Sequence, residues 1–233
     1  QLRTFPFAAS LRALENVNLA LDDDRFTWRA GLNFKPSDDV MLFATYSTGY
    51  KSGGFNSGVG AVALNQTRVF DRETVENMEF GAKTQWLDGA LTANITFYRM
   101  DIAGFQDRSF DGVSFVVRNA GELRHQGFEF DTVIRPTPNF SVNASLAYLD
   151  SKFTDYPGGA GLPGCVAVGG NIPAVCAGLP NGGQIQDLKG VSNNYAAEFT
   201  GNVGATWSGD IGSSGMGWSL NGNMAFISDI NNG

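Results

Sequence analysis

The 233-residue chain carries 30 Gly, 18 Phe, 6 Tyr and 4 Trp but only 17% charged residues, too apolar and aromatic for a disordered polymer. Sixteen Lys and Arg against 23 Asp and Glu leave a net charge of −7 with no basic stripe, which excludes nucleic acid as a partner. No apolar run approaches the ~18 residues of a spanning helix, and one His with two Cys outside any C-x-x-C pair offers no metal cluster.

The chain opens at Gln1 to Ser10 without Met and without the basic-then-apolar pattern of a secretory leader. It stops in a polar stretch, Ser228 to Gly233, just after an apolar alternation, so it reads as an interior segment of a longer protein. The first strand is expected from Trp28, where Trp28, Ala30, Leu32 and Phe34 alternate with Arg29, Gly31, Asn33 and Lys35. After Pro36-Ser37-Asp38-Asp39 the alternation resumes with Val40, Leu42, Ala44, Tyr46 and Tyr50 on one face and Thr45, Ser47 and Gly49 on the other. Further strands are expected at about 73 to 87, 90 to 106, 121 to 135, 139 to 153, 195 to 208 and 216 to 228, eight in all.

Three of these show the faces most clearly. Leu91, Ala93, Ile95 and Phe97 oppose Thr92, Asn94, Thr96 and Tyr98, and Phe140, Val142, Ala144, Leu146 and Tyr148 oppose Ser141, Asn143, Ser145 and Ala147. In the third, Phe199, Gly201, Val203, Ala205 and Trp207 oppose Thr200, Asn202, Gly204, Thr206 and Ser208. One face is apolar and the other polar and small.

Connections alternate in length. Short turns fall at Pro36 to Asp39, Leu87-Asp88-Gly89, Pro136 to Asn139 and Ser208 to Gly215, and longer ones at roughly 52 to 72, 107 to 120 and 154 to 194. Tight turns at one end and long loops at the other form the pattern of an antiparallel transmembrane β-barrel of the outer membrane, an all-β fold. A soluble barrel or sandwich also alternates, with its apolar face inward. Two features favour apolar-out: the polar face holds Asn, Thr, Ser and Gly with few Lys and Glu, and aromatics cluster at strand ends. Trp28, Tyr46, Tyr50, Trp86, Tyr98, Tyr148, Trp207 and Trp218 are expected to form interfacial girdles against outer-membrane lipid.

Specific strings then carry a family resemblance. Tyr46-Ser47-Thr48-Gly49-Tyr50-Lys51-Ser52-Gly53-Gly54-Phe55-Asn56 resembles the "Y-S-x-G-Y-K-x-G-G-F-N" segment of TonB-dependent outer-membrane receptors, above all the siderophore-receptor group. Glu73 to Lys83 resembles that family's "P-E-x-x-x-x-x-E-x-G-x-K" strand, with Asp71-Arg72 where the family more often has a Pro before the Glu. Asn119-Ala120-Gly121 to Gly127-Phe128-Glu129 resembles its "N-A-G-x-x-x-x-x-G-x-E" strand, and Asn143 to Phe153 its "N-x-S-x-x-Y-x-D-A-x-F". Asn193-Asn194-Tyr195-Ala196-Ala197-Glu198 departs from the usual "P-N-A-P" approach to the next strand. The four ordered matches lie between about 26 and 208.

The resemblance implies that residues 1–233 are part of a barrel domain of about 22 strands. A signal peptide, a TonB box, a plug domain and the terminal strand belong to the family and are not in these residues. It implies coupling to the TonB-ExbB-ExbD complex through the missing N-terminal region, and import of a large scarce nutrient such as a ferric siderophore. Relatives of the group also import sugars, cobalamin and other compounds, and a passive porin-type barrel is the alternative. No cofactor is implied.

Glu79, Lys83, Gln85, Glu129 and Asp131 lie on the polar phase and are expected to face the lumen, either touching a plug or solvating the interior. Phe55, Arg68 and Arg72 surround the first long loop, where an Arg beside aromatics suits an anionic chelate, while Tyr50 reads better as a girdle anchor. Cys165 and Cys176 share the longest loop. A disulfide is the natural reading for a loop that crosses the oxidising periplasm, two free thiols the alternative. No catalytic residue is expected: His125 is the only His, and the chain has no G-x-S-x-G elbow. Ser52-Gly53-Gly54 and Gly158-Gly159-Ala160-Gly161 lack the strand-to-helix context and Lys of a phosphate cradle.

Overall fold

The computed structural model describes residues 18–56, 68–110, 115–160, 165, 174–179 and 185–230. The opening stretch Gln1 to Ser10, read above for its lack of a leader, and the final residues 231–233 lie outside the described residues. In chain order the strands are β1 (Arg29–Ser37), β2 (Val40–Lys51), β3 (Gly54–Phe55), β4 (Val69–Phe70), β5 (Glu73–Trp86), β6 (Leu91–Ala103) and β7 (Gln106–Phe110). They continue with β8 (Phe115–Asn119), β9 (Glu122–Thr137), β10 (Phe140–Asp155), β11 (Gly159–Ala160), β12 (Ile185–Gln186), β13 (Phe199–Asp210) and β14 (Gly217–Ile227).

Eight of them build one antiparallel sheet in the order β1-β2-β5-β6-β9-β10-β13-β14, each long strand pairing with the next long strand in sequence. The other six form three two-stranded ribbons, β3–β4, β7–β8 and β11–β12, inside connections that sequence reading leaves as plain loops. β7–β8 is a ladder of five pairs from Gln106↔Asn119 to Phe110↔Phe115, in segments that do not alternate and so give no period to read.

Strand ends shift for backbone reasons. The strand expected to reach 106 stops at Ala103, because Gly104 turns the chain at φ 67°. The strand expected from 195 begins at Phe199, because Tyr195 sits at φ 61°, outside any strand conformation. The short turns all lie at one end of the sheet: Asp38-Asp39, 87–90, 138–139 and 211–216. In the second, Leu87 and Asp88 both have φ 55° and Gly89 has φ 85°, the positive angles of the turns that suit the twist of a tight hairpin.

The alternation resolves onto two faces of a curved sheet. On the convex face Phe80, Phe97, Phe128, Tyr148 and Phe199, one from each of β5, β6, β9, β10 and β13, stand side by side. Their successive ring centroids are 5.2, 6.2, 5.9 and 5.0 Å apart. Trp86, Trp207 and Trp218 follow on the same face toward the turn end, Trp207 and Trp218 packed edge to face at 5.3 Å. Leu32 is 70% exposed and Phe80 59%. A patch this large and apolar is stable only against lipid or another apolar surface, and with the apolar phase outermost the soluble-barrel alternative falls.

Tyr98 is a correction to the girdle. It lies on the concave face, where its ring covers Gly127 of the neighbouring strand.

Tightly buried side chains gather at the loop end, where Ile102, Ala120, Leu123, Phe153 and Tyr156 pack together with Val75, Met100, Phe105 and Leu188 against them. Phe153 meets Phe105 and Tyr156 edge-on at 5.8 and 5.0 Å. Gly121 enters this cluster at φ 112° with the Asp155 carbonyl 2.1 Å from where a Cβ would stand, so only glycine fits.

Candidate functional site

The concave face is ordered in rows set by register. From the turn end they are Met41–Lys83–Asn94–Asp131–Ser145, then Phe43–Gly81–Thr96–Glu129–Ala147, then Thr45–Glu79–Tyr98–Gly127–Leu149, and last Ser47–Asn77–Met100–His125–Ser151. They surround an open hollow of about 910 Å³ to which Glu79, Lys83 and Glu129 contribute side by side with Arg29, Asn77 and Tyr98.

Glu79 accepts hydrogen bonds from Asn77 Nδ2 at 2.7 Å and Thr45 Oγ1 at 3.3 Å, which fixes its carboxylate on the wall. Asn94 Nδ2 donates to Asp131 Oδ2 at 2.8 Å. The Lys83 ammonium stands 6.0 Å from the centre of the Phe43 ring, at the limit of cation–π reach. Gln85 sits nearer the turns, with Lys83, Thr92 and Asn94 around a smaller hollow of about 310 Å³. The wall thus offers carboxylates, amides, the Lys35 and Lys83 ammonium groups and the Arg29 guanidinium, a set suited to hydrogen-bonding a polar protein surface.

His125 and Ser151 face each other in the row nearest the loops, yet neither His125 Nδ1 nor Ser151 Oγ has a hydrogen-bond partner. The nucleophile–base contact that a hydrolase relies on is not made between them. Among the described residues no group of three or more His, Cys, Asp or Glu is placed to hold a metal ion.

The loop-end residues are braced more heavily than sequence suggests. Arg72 is held by Asp23 Oδ1 at 2.9 Å and donates to the Asp24 carbonyl at 2.8 Å, so its guanidinium serves the strand approach. The Arg68 carbonyl accepts the Asn56 N–H at 2.7 Å, and Phe55, opposite Val69, is 42% exposed. Asn56 and Asn119, each inside a quoted motif, are the residues whose role sequence reasoning missed. The Asn56 amide clasps Val117 in both directions, at 2.7 and 2.8 Å. Asn119 accepts from the Asp71 N–H and donates to the Asp71 and Gly104 carbonyls. Gln106, outside any motif, adds donations to the Ser52 and Asp71 carbonyls. The first two ribbons are thereby tied into one unit with the start of β5.

Cys165 and Cys176 are joined by a disulfide with their Cα atoms 5.7 Å apart, while 166–173 between them lie outside the described residues. Closing a separation of 11 residues restricts the unfolded chain by about 3 kcal/mol in the entropy model. Maleimide labelling of the denatured protein is expected to find no thiol before reduction and two after.

Tyr156 donates its phenol to Asp107, and burial first, then that carboxylate, push its ionisation well above the usual value near 10. A group whose folded pKa is raised contributes stability that is complete below its unfolded pKa and is lost as pH climbs toward the folded one. Loop-end protection from proteolysis is therefore expected to hold to about pH 10 and to weaken above it. Tyr156→Phe is expected to show lower protection at neutral pH and a flatter alkaline decline.

A family profile described as "TonB dependent receptor-like, beta-barrel" matches residues 5–233. The probable TonB-dependent siderophore receptor PiuA of Acinetobacter baumannii is 27% identical over 136 residues, 57% of this chain and 18% of that protein. The metal-pseudopaline receptor CntO of Pseudomonas aeruginosa is 28% identical over 130 residues, covering 55% and 17%. Among solved structures, the ferric preacinetobactin receptor BauA of A. baumannii superposes with a TM-score of 0.56 at 18% identity, covering 87% of this chain and 25% of that one. The A. baumannii PiuA crystal structure gives 0.52 at 20%, covering 78% and 23%. The chain spans about a fifth of the length of the curated relatives it matches.

Proposed function

Because this chain belongs to the TonB-dependent receptor β-barrel family, and so is part of an outer-membrane β-barrel, we propose that it is a wall section of an energy-coupled importer of a large scarce nutrient, a ferric siderophore first. The observation that carries the reading is the open sheet. Its eight strands curve round a polar hollow without β1 and β14 meeting, which suits a barrel far wider than eight strands, about 22. A barrel that wide leaks unless something fills it. The wall of Glu79, Lys83, Glu129 and Asp131 supplies the hydrogen-bonding surface for a plug, encoded with a TonB box N-terminal to these residues.

The names of the relatives, a siderophore receptor and a metal-pseudopaline receptor, support a chelated metal as cargo. Loop groups such as Phe55 and Arg68 are the side on which such a chelate arrives, and the protein works as a transporter rather than an enzyme.

The test begins with the mature protein from outer membranes, whose intact mass and N-terminal sequence are expected to reveal several hundred further residues opening on a plug. Uptake of a radioiron-labelled siderophore is then compared in cells with and without the gene. Uptake lost both on gene deletion and on TonB deletion supports the reading. Uptake that needs the gene but not TonB assigns a passive barrel, and no gene-dependent iron uptake removes the siderophore.

A further inference from the structure

Charge is divided unevenly around the concave face. On β1 to β9 that face carries Arg29, Glu79, Lys83, Glu129 and Asp131. Register continues across β10, β13 and β14 in the rows Ser141–Thr206–Asn221, Asn143–Gly204–Asn223, Ser145–Asn202–Ala225 and Ala147–Thr200–Ile227, none of which holds an ionisable side chain. Asp131 and Glu129 stand one strand away, opposite Ser145 and Ala147. Arg135 lies toward the turn end of β9, Asp210 closes β13 at that end, and Glu198 precedes β13 at the loop end. Asp150 and Lys152 of β10 alternate onto the convex face with Gln126 and Arg124. Charges thus rim the sector without entering it.

What fills the sector is amides. Asn143 and Asn223 flank Gly204, their Oδ1 atoms 2.8 and 3.1 Å from where a Cβ of that glycine would stand. Neither of these side chains nor that of Asn202 makes a hydrogen bond among the described residues. Partners appear only toward the turns, where Thr206 Oγ1 donates to Asn221 Oδ1 at 2.8 Å and Asn221 Nδ2 to Ser219 Oγ at 3.2 Å. A free amide offers two N–H donors and a carbonyl acceptor, so it serves water and the oxygens of a chelate alike. The difference from the charged half bears on what a plug has to release. Hydrogen bonds to ionised groups are roughly twice as strong as neutral ones, and a neutral amide exchanges a protein partner for water at little net cost. Plug and wall therefore separate more readily along β10, β13 and β14 than along Glu79, Lys83, Glu129 and Asp131.

We propose that this amide sector is the side of the lumen along which an energised plug parts from the wall, and that the cargo, an oxygen-rich metal chelate, passes over Asn143, Asn202 and Asn223. A passage surface has to attract its cargo enough to admit it and weakly enough to release it. Neutral amides meet both conditions for a chelate of either sign, whereas the charged half holds an anion at Lys83 and a cation at Glu79. The inference rests on the importer reading and adds where in the lumen the passage opens.

Asn202→Cys in the full-length receptor provides the test, since Cys165 and Cys176 are joined and leave no other thiol among the described residues. Cells importing a radioiron-labelled siderophore are treated with a small sulfonate-bearing methanethiosulfonate, wild type giving the background. Labelling is expected to run at least about fivefold faster in cells with TonB than in cells without it. The modified receptor is expected to bind siderophore at the cell surface as before and to import it at least about fivefold more slowly. The triple variant N143D, N202D, N223D is expected to show the same split between binding and import. Should it not assemble, the thiol experiment decides, because the reagent acts on receptor already assembled. Ser213→Asp, in the turn beyond the sector, is expected to alter neither quantity. Equal labelling with and without TonB overturns the proposal, as does full-rate import by the modified receptor. Wild-type uptake independent of TonB removes the importer reading and this inference with it, while TonB-dependent wild-type uptake with an indifferent Asn202→Cys removes this inference alone.

Discussion

Replacing Gly127 with valine is expected to abolish the assembled barrel, the largest single effect the sheet allows. A Cβ at this position stands 1.9 Å from the Tyr148 carbonyl oxygen and 3.0 Å from the Tyr98 hydroxyl. The nearer atom is backbone of a strand paired with β9 through fourteen register partners, so it has nowhere to go without breaking that ladder. A cost above about 4 kcal/mol, the range of backbone and packing failures combined, is the expected outcome. Heat-modifiable gel mobility in outer-membrane fractions reads it directly. Truncating Tyr98 in the same chain is expected not to restore assembly, because the obstruction is the carbonyl. Gly222→Ala, with no atom within 4 Å of its Cβ, is the control expected to assemble normally. Normal assembly of Gly127→Val means that β9 and β10 lie further apart than described.

The second large effect is expected from Leu123→Ala. Leu123 is 1% exposed at the centre of the loop-end cluster, between Ile102 and Phe153 in register. Removing three carbons there costs about 2 to 5 kcal/mol, according to how far the cluster closes over the gap. Since this cluster lies above the membrane-facing surface, the loss falls on the loops and not on insertion. The variant is expected to reach the outer membrane at the normal level, to expose the 104–121 connection to protease, and to bind ligand more weakly. Unchanged protease resistance together with unchanged binding rules out the cluster as the support of the loops.

Which of these features sequence makes legible follows from periodicity. The two-residue alternation in Leu91–Tyr98 and Phe140–Tyr148 shows where strands run and which residues share a face, because side chains point to alternate sides at every step. It carries no information on which face is convex; the polar hollow and the exposed aromatic row supply that. Tyr98 shows a misreading with a physical source. Its parity places it with Asn94 and Thr96, but aromatic character near a strand end argued for a girdle, and the ring instead covers the glycine beside it. Lumen-facing candidates such as Glu79 and Glu129 share one hollow because parity and register agree. Arg72 was legible as a loop-end cation, yet its ion pair to Asp23 spans 49 residues, and no local pattern encodes a partner that distant. The ribbons escaped notice because the strands of β3–β4 and β11–β12 are two residues long and have no period, and the five-residue strands of β7–β8 do not alternate.

The aromatic row has a consequence that reaches beyond packing. Hydrogen-bonded partners lie perpendicular to tilted strands, so a row of them is a staircase through the bilayer and not a contour at one depth. Phe80 is six residues from the turn end of β5 and Phe199 eleven from that of β13, which at about 2.6 Å of height per residue puts them near 16 and 29 Å. Neighbouring rings in contact therefore sample different solvents, from hydrocarbon through the headgroups toward water. The same substitution carried along the row becomes a depth gauge. Arginine is expected to cost about 2 to 4 kcal/mol at Phe80, less at Phe128, and close to nothing at Phe199.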